Sequence, residues 1–514
     1  MSGGEVGAGY YPESIPKTRE SNIVRGITSL TAQNLGTSSL GFIFLGVLLR
    51  LLPGTQYGVY SAASISVGIA TALSTLGLQY ASARYLSILA VDNPTGVSIA
   101  ARRIILLSLI VTSIVTFGFE LVSAPLSIYF TKSVEWTYIF ALSGLWVFTT
   151  SISLVLQGLL QGLKNYASLA KILFFSKLLM VFFSTLTLVV YRNVSIPIVG
   201  WIVYSVVICL WIGKLVSNAF SKKPVMMQHI PEYSQILKYS LPLGVSALLT
   251  IVASNADLLV VGGYLSSVTL GVYNTAVMIS SVLTYVLVTP LVTALLPELS
   301  SALNASELSN GFRLALRFVM LAILPASLVV AAMPRQLLLL FSGGGAYLSG
   351  TEPLQIISLF YVFLAIQTVI FALLQATGST REVFLINVVT TVVDLSISVT
   401  TVPHLGIMGA AIARDATAVL GMSVSIVAAR RFIAKLDPSR FYLRALLCSL
   451  FPFFVIWTLS SYFSQGLLTI IPYSLIAALI FVASLRALRV LSGEDRALLR
   501  HVLPRSFNRI LRYL

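Results

Sequence analysis

The chain has 514 residues, of which 57% are hydrophobic and only 10% charged, with a formal net charge of +16 and a mean hydropathy of +0.93. Soluble domains average roughly 45–50% apolar and about 25% charged residues, so this composition excludes a large soluble core. It makes lipid the solvent for most of the surface, where backbone polar groups must be satisfied inside helices or a closed barrel. The apolar runs are long and do not alternate, which selects helices.

The N-terminal segment, 1–24, mixes Glu5, Glu13, Lys17, Arg19 and Glu20, too polar for the apolar stretch of a cleavable signal. The first apolar run is therefore expected to act as an uncleaved insertion signal. Runs of spanning length cover 27–49, 58–78, 104–122, 136–160, 169–190 and 198–216, six within 25–219. A polar connector at 220–237 carries Lys222, Lys223, His229 and Pro231. Six more runs lie within 238–430, at 241–261, 270–296, 314–332, 354–374, 383–402 and 407–427. Two further runs, 446–462 and 467–485, fall within 431–490. The tail, 491–514, sets Leu499, Val502, Leu503, Phe507 and Ile510 among Arg500, Arg505, Arg509 and Arg512, the pattern of a basic amphipathic helix lying on the inner leaflet. The expected fold class is all-α integral membrane, with about 14 transmembrane helices.

Charge placement orients these helices. Of the 33 Lys and Arg residues, only Arg50, Lys132, Arg192 and Arg335 fall on one side, and Lys177 and Arg414 fall inside apolar runs. The rest share the other side, which the positive-inside rule makes cytoplasmic. A multi-pass protein of the plasma membrane with both termini cytoplasmic is the expectation. Because the basic residues sort by membrane side, topology explains the charge and no nucleic-acid partner is expected.

Short matches recur at nearly constant separation: Gly58-Val59-Tyr60 with Gly271-Val272-Tyr273, Leu159-Leu160-Gln161 with Leu373-Leu374-Gln375, and Gly200 with Gly409. They predict two parallel, pseudo-symmetric six-helix lobes related by an axis along the membrane normal, plus two appended C-terminal helices.

Ionisable groups at membrane depth cost about 2.5–3.5 kcal/mol each on insertion scales, so each is a functional candidate. Asp257 falls in the seventh run, Asp394 in the eleventh, and Arg414 and Asp415 in the twelfth. Asn387 and Asp394, seven residues apart, share a helix face. Two readings of this set stay open: internal ion pairs within the C-terminal lobe, or a carboxylate, Asp394 foremost, that binds H+ or Na+ and couples its gradient to transport. A second set is cationic. Arg25, Arg84, Lys171 and Lys177 sit toward the cytoplasmic ends of the first lobe, either as ordinary anchors or as a vestibule for a phosphate or pyrophosphate headgroup. Lys171 and Lys177, six apart, do not share a narrow face.

Cys209 and Cys448 each stand alone in an apolar run, and no metal site is expected. No GxxxxGK[ST] loop occurs, His229, His404 and His501 are scattered, and Gly343 to Gly345 read as a flexible turn, so no enzyme activity and no bound cofactor are expected.

The segments LLPGTQYGVYS, LGLQYASARYLS, LQGLLQGLKNY, NADLLVVGGYLSSVTLGVYNTA, LLPELS and PHLGIMGAAIA together resemble the lipid-linked oligosaccharide flippases, the polysaccharide-biosynthesis branch of the multidrug/oligosaccharidyl-lipid/polysaccharide (MOP, MATE-like) superfamily. The resemblance covers most of the chain. It implies two lobes forming a V round a central cavity, and alternating access that moves a polyprenyl-phosphate-linked oligosaccharide from the cytoplasmic to the outer leaflet while its tail stays in membrane lipid. It implies no fixed oligomeric state, and a monomer is expected. Asp394 stands where many relatives are expected to carry Asn. A cation-coupled multidrug extruder of the same superfamily is the alternative function; a membrane-embedded glycosyltransferase would need a carboxylate pair or a large loop that the sequence lacks.

Overall fold

The structure, a computed structural model, describes residues 17–92, 96–219, 230–289, 295, 299, 305–432, 439–462 and 469–490. The amphipathic tail and most of the 220–237 connector lie outside the described residues. Among the described residues the chain is helical without strands, and 14 helices are long and apolar enough to cross a membrane. Spans 1 to 6 are Ala32–Leu51, Gly54–Thr75, Val97–Leu121, Thr137–Gly162, Tyr166–Tyr191 and Ser195–Ser217. Spans 7 to 12 are Tyr233–Ser254, Ser267–Val288, Glu307–Ala332, Gly345–Ala376, Thr380–Leu405 and Ile407–Ala429; spans 13 and 14 are Arg440–Ser460 and Ile470–Ala487.

Two expected runs end differently in the structure. Span 2 stops at Leu76 and Gly77, which both adopt positive φ (44° and 73°), and a separate helix, Leu78–Asp92, follows. Hydropathy does not register backbone handedness, so the expected run 58–78 swallowed this turn. Span 7 ends at Asn255, and a short helix, Ala256–Tyr264, takes up the rest of the expected run. Asp257 thus sits in the first turn of a new helix rather than inside span 7.

The packing scheme repeats. In the first six spans, 1 packs on 5, 2 on 4, 3 on 4, 4 on 6 and 5 on 6; in the next six, 7 packs on 11, 8 on 10, 9 on 10, 10 on 12 and 11 on 12. The same contacts recurring six spans later define two parallel lobes. Spans 13 and 14 pack on each other and on span 9, with Ala332, Ile456 and Tyr473 in their shared core.

The repeat also shapes the seam between lobes. Gly58 of span 2 and Gly271 of span 8, equivalent in the two lobes, meet directly: a Cβ on Gly271 would lie 3.1 Å from the Gly58 Cα, and one on Gly58 would overlap the Ser267 carbonyl. Asn274 Nδ2 donates to Ser61 Oγ at 3.0 Å across 213 residues, the same interval. Toward the other face, where the odd-numbered spans begin and which is the basic one, Gly77 abuts Ser240 and Gly244 of span 7 so closely that neither glycine has room for a side chain. Span 2 therefore joins the second lobe at both ends.

Polar contacts reinforce both closures. On the basic face Tyr85 Oη donates to the Gln235 carbonyl at 3.1 Å, Arg103 Nη1 to the Pro231 carbonyl at 2.9 Å, and the Arg84 guanidinium lies 4.3 Å from the Tyr239 ring centroid. On the opposite face first-lobe cations cap second-lobe helix ends. Lys132 Nζ donates to the carbonyls of Gly262 and Gly263 at the end of Ala256–Tyr264. Arg50 donates to the Leu340 and Phe341 carbonyls, at 2.6 and 3.3 Å, at the end of helix Pro334–Ser342. The last carbonyls of a helix are unpaired and carry its negative dipole end, so a cation satisfies them without a carboxylate.

At exposed positions such caps contribute about 1 kcal/mol each. Replacing Lys132 and Arg50 together with Ala is expected to raise the open population of that face about thirtyfold. In a chain with Cys209 and Cys448 replaced by Ala and Ser64→Cys added in the cavity described below, a membrane-impermeant thiol reagent should react correspondingly faster from that side. An unchanged rate would mean that the glycine seam alone holds the face shut.

Candidate functional site

Between the two seams lies a cavity of about 440 Å³, walled by spans 1, 2, 5, 6 and 8. Its lining is aromatic and hydroxylic: Phe42, Phe44, Tyr57, Tyr60, Trp201, Tyr204 and Tyr285, with Thr37, Ser38, Ser64, Asn274 and Ser281. Tyr285 is carried on a π-helical segment, Thr284–Val288, which interrupts span 8; such segments occur often at functional sites. One side chain of the lining is charged, Lys177.

Lys177 takes a place in the buried stripe of span 5, with Ala170, Val181, Ser184 and Leu188 at helical spacing. It is 6% exposed. Its Nζ lies 3.6 Å from the Trp201 ring centroid and 5.7 Å from that of Tyr204. Trp201 is itself locked: its Nε1 donates to Tyr60 Oη at 2.9 Å, and its ring stacks on Trp146 at 5.7 Å and 17°. The indole face thus meets the ammonium, an attraction worth about 2 kcal/mol when desolvated. No carboxylate lies within ion-pair distance of Lys177 among the described residues. Three ammonium protons beside an aromatic wall are chemically suited to an anion.

The other predicted cations are not gathered there. Lys171, two-thirds of a turn away in phase, is exposed. Arg84 is exposed on Leu78–Asp92 and stacks on Tyr239 in the basic-face seam. Arg25 lies in helix Lys17–Leu51, but its side chain falls outside the described residues. Of the three described side chains of this set, Lys177 alone lines the cavity, because a period of 3.6 residues turns Lys171 away and the turn at Gly77 carries Arg84 outward.

The second lobe holds the acidic candidates. Arg414 grips Asp257 with a two-pronged contact, Nε to Oδ2 at 2.7 Å and Nη2 to Oδ1 at 2.9 Å, both side chains buried. Tyr273 Oη also donates to Oδ2, and the Leu258 N–H to Oδ1 at 2.9 Å. The break after span 7 explains the placement. Asp257 sits at the positive N-terminal end of Ala256–Tyr264, while Arg414 Nη2 also donates to the Ser254 carbonyl, at 3.0 Å, on the negative end of span 7.

Asp394 remains apart from this pair. Thr417 Oγ1 approaches its Oδ1 at 3.5 Å, and no cation lies within ion-pair distance among the described residues. With Asn387, Thr391, Gln367 and Arg414 it lines a polar cavity of about 220 Å³ inside the second lobe. Asp415, one residue beyond Arg414 and turned about 100° from it, joins neither pair nor cavity; its Oδ1 is buried and has no hydrogen-bond partner. Among the described residues no group of acids, histidines or cysteines is arranged to hold a metal ion.

Two repeated lobes flanking a central cavity, with a discontinuous helix and buried charges, are features that recur in membrane transporters. Residues 47–345 match the family described as polysaccharide biosynthesis protein, and the chain belongs to that family. No curated protein matches the sequence. The fold is similar to the lipid II flippase MurJ in an inward-closed conformation, with TM-score 0.67 and 15% identity over 92% of this chain and 99% of the other. It is similar to an inward-facing multidrug resistance MATE family transporter of the MOP superfamily, with TM-score 0.62 and 15% identity over 79% and 98%. It is also similar to a MOP superfamily transporter from Pyrococcus furiosus described as having a binding pocket of reversed polarity, with TM-score 0.53 and 15% identity over 80% and 96%. At these identities the likeness is one of fold. The similar structures are those of a flippase and of transporters.

Arg414→Met leaves the Asp257 carboxylate buried without its counter-charge, a change that typically costs about 3–5 kcal/mol. The purified variant is expected to melt well below the parent in detergent, and the double variant Arg414→Met with Asp257→Asn should recover most of that loss. A double variant that melts at the sum of the single losses would show that the pair is not acting as a unit.

Proposed function

We propose that the protein flips a polyprenyl-phosphate-linked oligosaccharide from the cytoplasmic to the outer leaflet of the plasma membrane by alternating access, for polysaccharide or glycan biosynthesis. Lys177 carries this reading: a buried ammonium without an acid partner among the described residues, facing an aromatic cavity between the lobes. A phosphate oxygen supplies the acceptor that such a group lacks, and the hydroxyl- and amide-bearing wall offers hydrogen bonds to sugar hydroxyls. Arg84 and Lys171, exposed toward the basic face, are suited to meet the headgroup before it reaches Lys177, and Arg25 begins the same side. Membership of the polysaccharide biosynthesis family and the likeness to a lipid II flippase over most of the chain support the assignment.

In this reading the basic face is cytoplasmic, as the charge bias requires, and the lobes rock about span 2, releasing one glycine seam at a time. The lipid tail stays in the bilayer. Asp394 takes up the coupling ion, H+ or Na+, because it lines a polar cavity with no ion pair of its own. The drug-extruder alternative calls for an acid in the central cavity to hold cationic cargo, whereas the described lining offers a base.

The assay is translocation of a labelled polyprenyl-phosphate-linked glycan in proteoliposomes, scored by access to an enzyme added outside. Lys177→Met is expected to abolish movement at an unchanged melting temperature, with Lys177→Arg retaining part of it. Wild-type rates from Lys177→Met would remove the anion site from the mechanism. Asp394→Asn should make the rate indifferent to an imposed H+ or Na+ gradient; an undiminished response would exclude Asp394 as the coupling group.

A further inference from the structure

Building on the flippase reading, we infer that the central cavity is made for a headgroup with one negative charge: a phosphodiester joining a lipid to a single sugar or very short glycan, rather than a lipid diphosphate bearing a long one. Lys177 is the one cation on the wall among the described residues, and no acid accompanies it. A phosphodiester carries one charge and leaves the occupied site neutral. A diphosphate diester carries two, and the second would be left unpaired where desolvation is expensive.

The neutral groups fit the same ligand. Ser64, Asn274 and Ser281 present hydroxyls and an amide rather than a second cationic fork, so they are matched to sugar hydroxyls and not to another phosphate. Tyr204 and Tyr285 add ring surface beside them. The size of the cavity points the same way. The close contacts of Gly58 with Ser267 and of Gly77 with Gly244 narrow the space between the lobes on either side of the cavity. The cavity, about 440 Å³, lies in the lower half of the roughly 300–1,000 Å³ typical of sites for single small ligands.

The test uses the full chain in proteoliposomes and three probes on one polyprenyl chain: a monophosphate-linked hexose, a diphosphate-linked hexose, and a monophosphate-linked long oligosaccharide. The monophosphate hexose is expected to cross at least about tenfold faster than either of the others. Equal or faster movement of the diphosphate would overturn the single-charge inference while leaving the flippase reading intact, and equal movement of the long glycan would overturn the size limit alone. If none of the three moves, the flippase reading itself fails and takes this inference with it. Ser64→Lys, which adds a second ammonium to the same wall, should shift the ratio of rates toward the diphosphate; an unshifted ratio in a variant that still transports would also count against charge matching.

Discussion

A charge taken out of water must be answered by an opposite charge, a dipole or a ligand, and the interior of this protein is organised by how each of its buried charges is answered. Arg414 and Asp257 answer one another, helped by the two helix ends created where the chain breaks at Asn255. Lys177 is answered, among the described residues, by the ring faces of Trp201 and Tyr204. The first arrangement fastens span 12 to the elements round span 7, and the second leaves an ammonium able to accept an anion. That difference separates scaffold from site.

Span 2 is the mechanical counterpart of this electrostatic division. It belongs to the first lobe by its packing on span 4, yet it touches the second lobe near both ends, through Gly58 and Gly77. Backbone contact at glycine needs no interlocking side chains, so one seam can part without disturbing a core. Cations fixed on helix ends, Lys132 and Arg50, close the face opposite the basic connectors with contacts that water can replace.

The repeat seen as scattered tripeptides has a physical meaning that the spacing alone does not convey. Gly58 and Gly271 are equivalent and also in contact, and so are Ser61 and Asn274. Positions near a two-fold axis meet their own counterparts, so the recurring sequence there marks the seam itself. The glycines persist in both halves because each forms half of the same close approach.

The number of spans, their order and the sidedness of the basic residues were set by the sequence itself, because each span must be long and apolar on its own account and each loop carries its own charge. The buried ionisable residues were also legible singly, since any charge within an apolar run is conspicuous. Their partners were not. Whether Arg414 answers Asp257, Asp394 or Asp415 depends on a helix break at Asn255 and on which face of span 12 meets span 7, and neither leaves a mark in hydropathy. Lys171 and Lys177 were separable by helical phase, but the placing of Trp201, Tyr60 and Trp146 behind Lys177 required three other spans to converge. Hydropathy is a property of one segment at a time, whereas a site is made where several segments meet, and only the tertiary packing decides that.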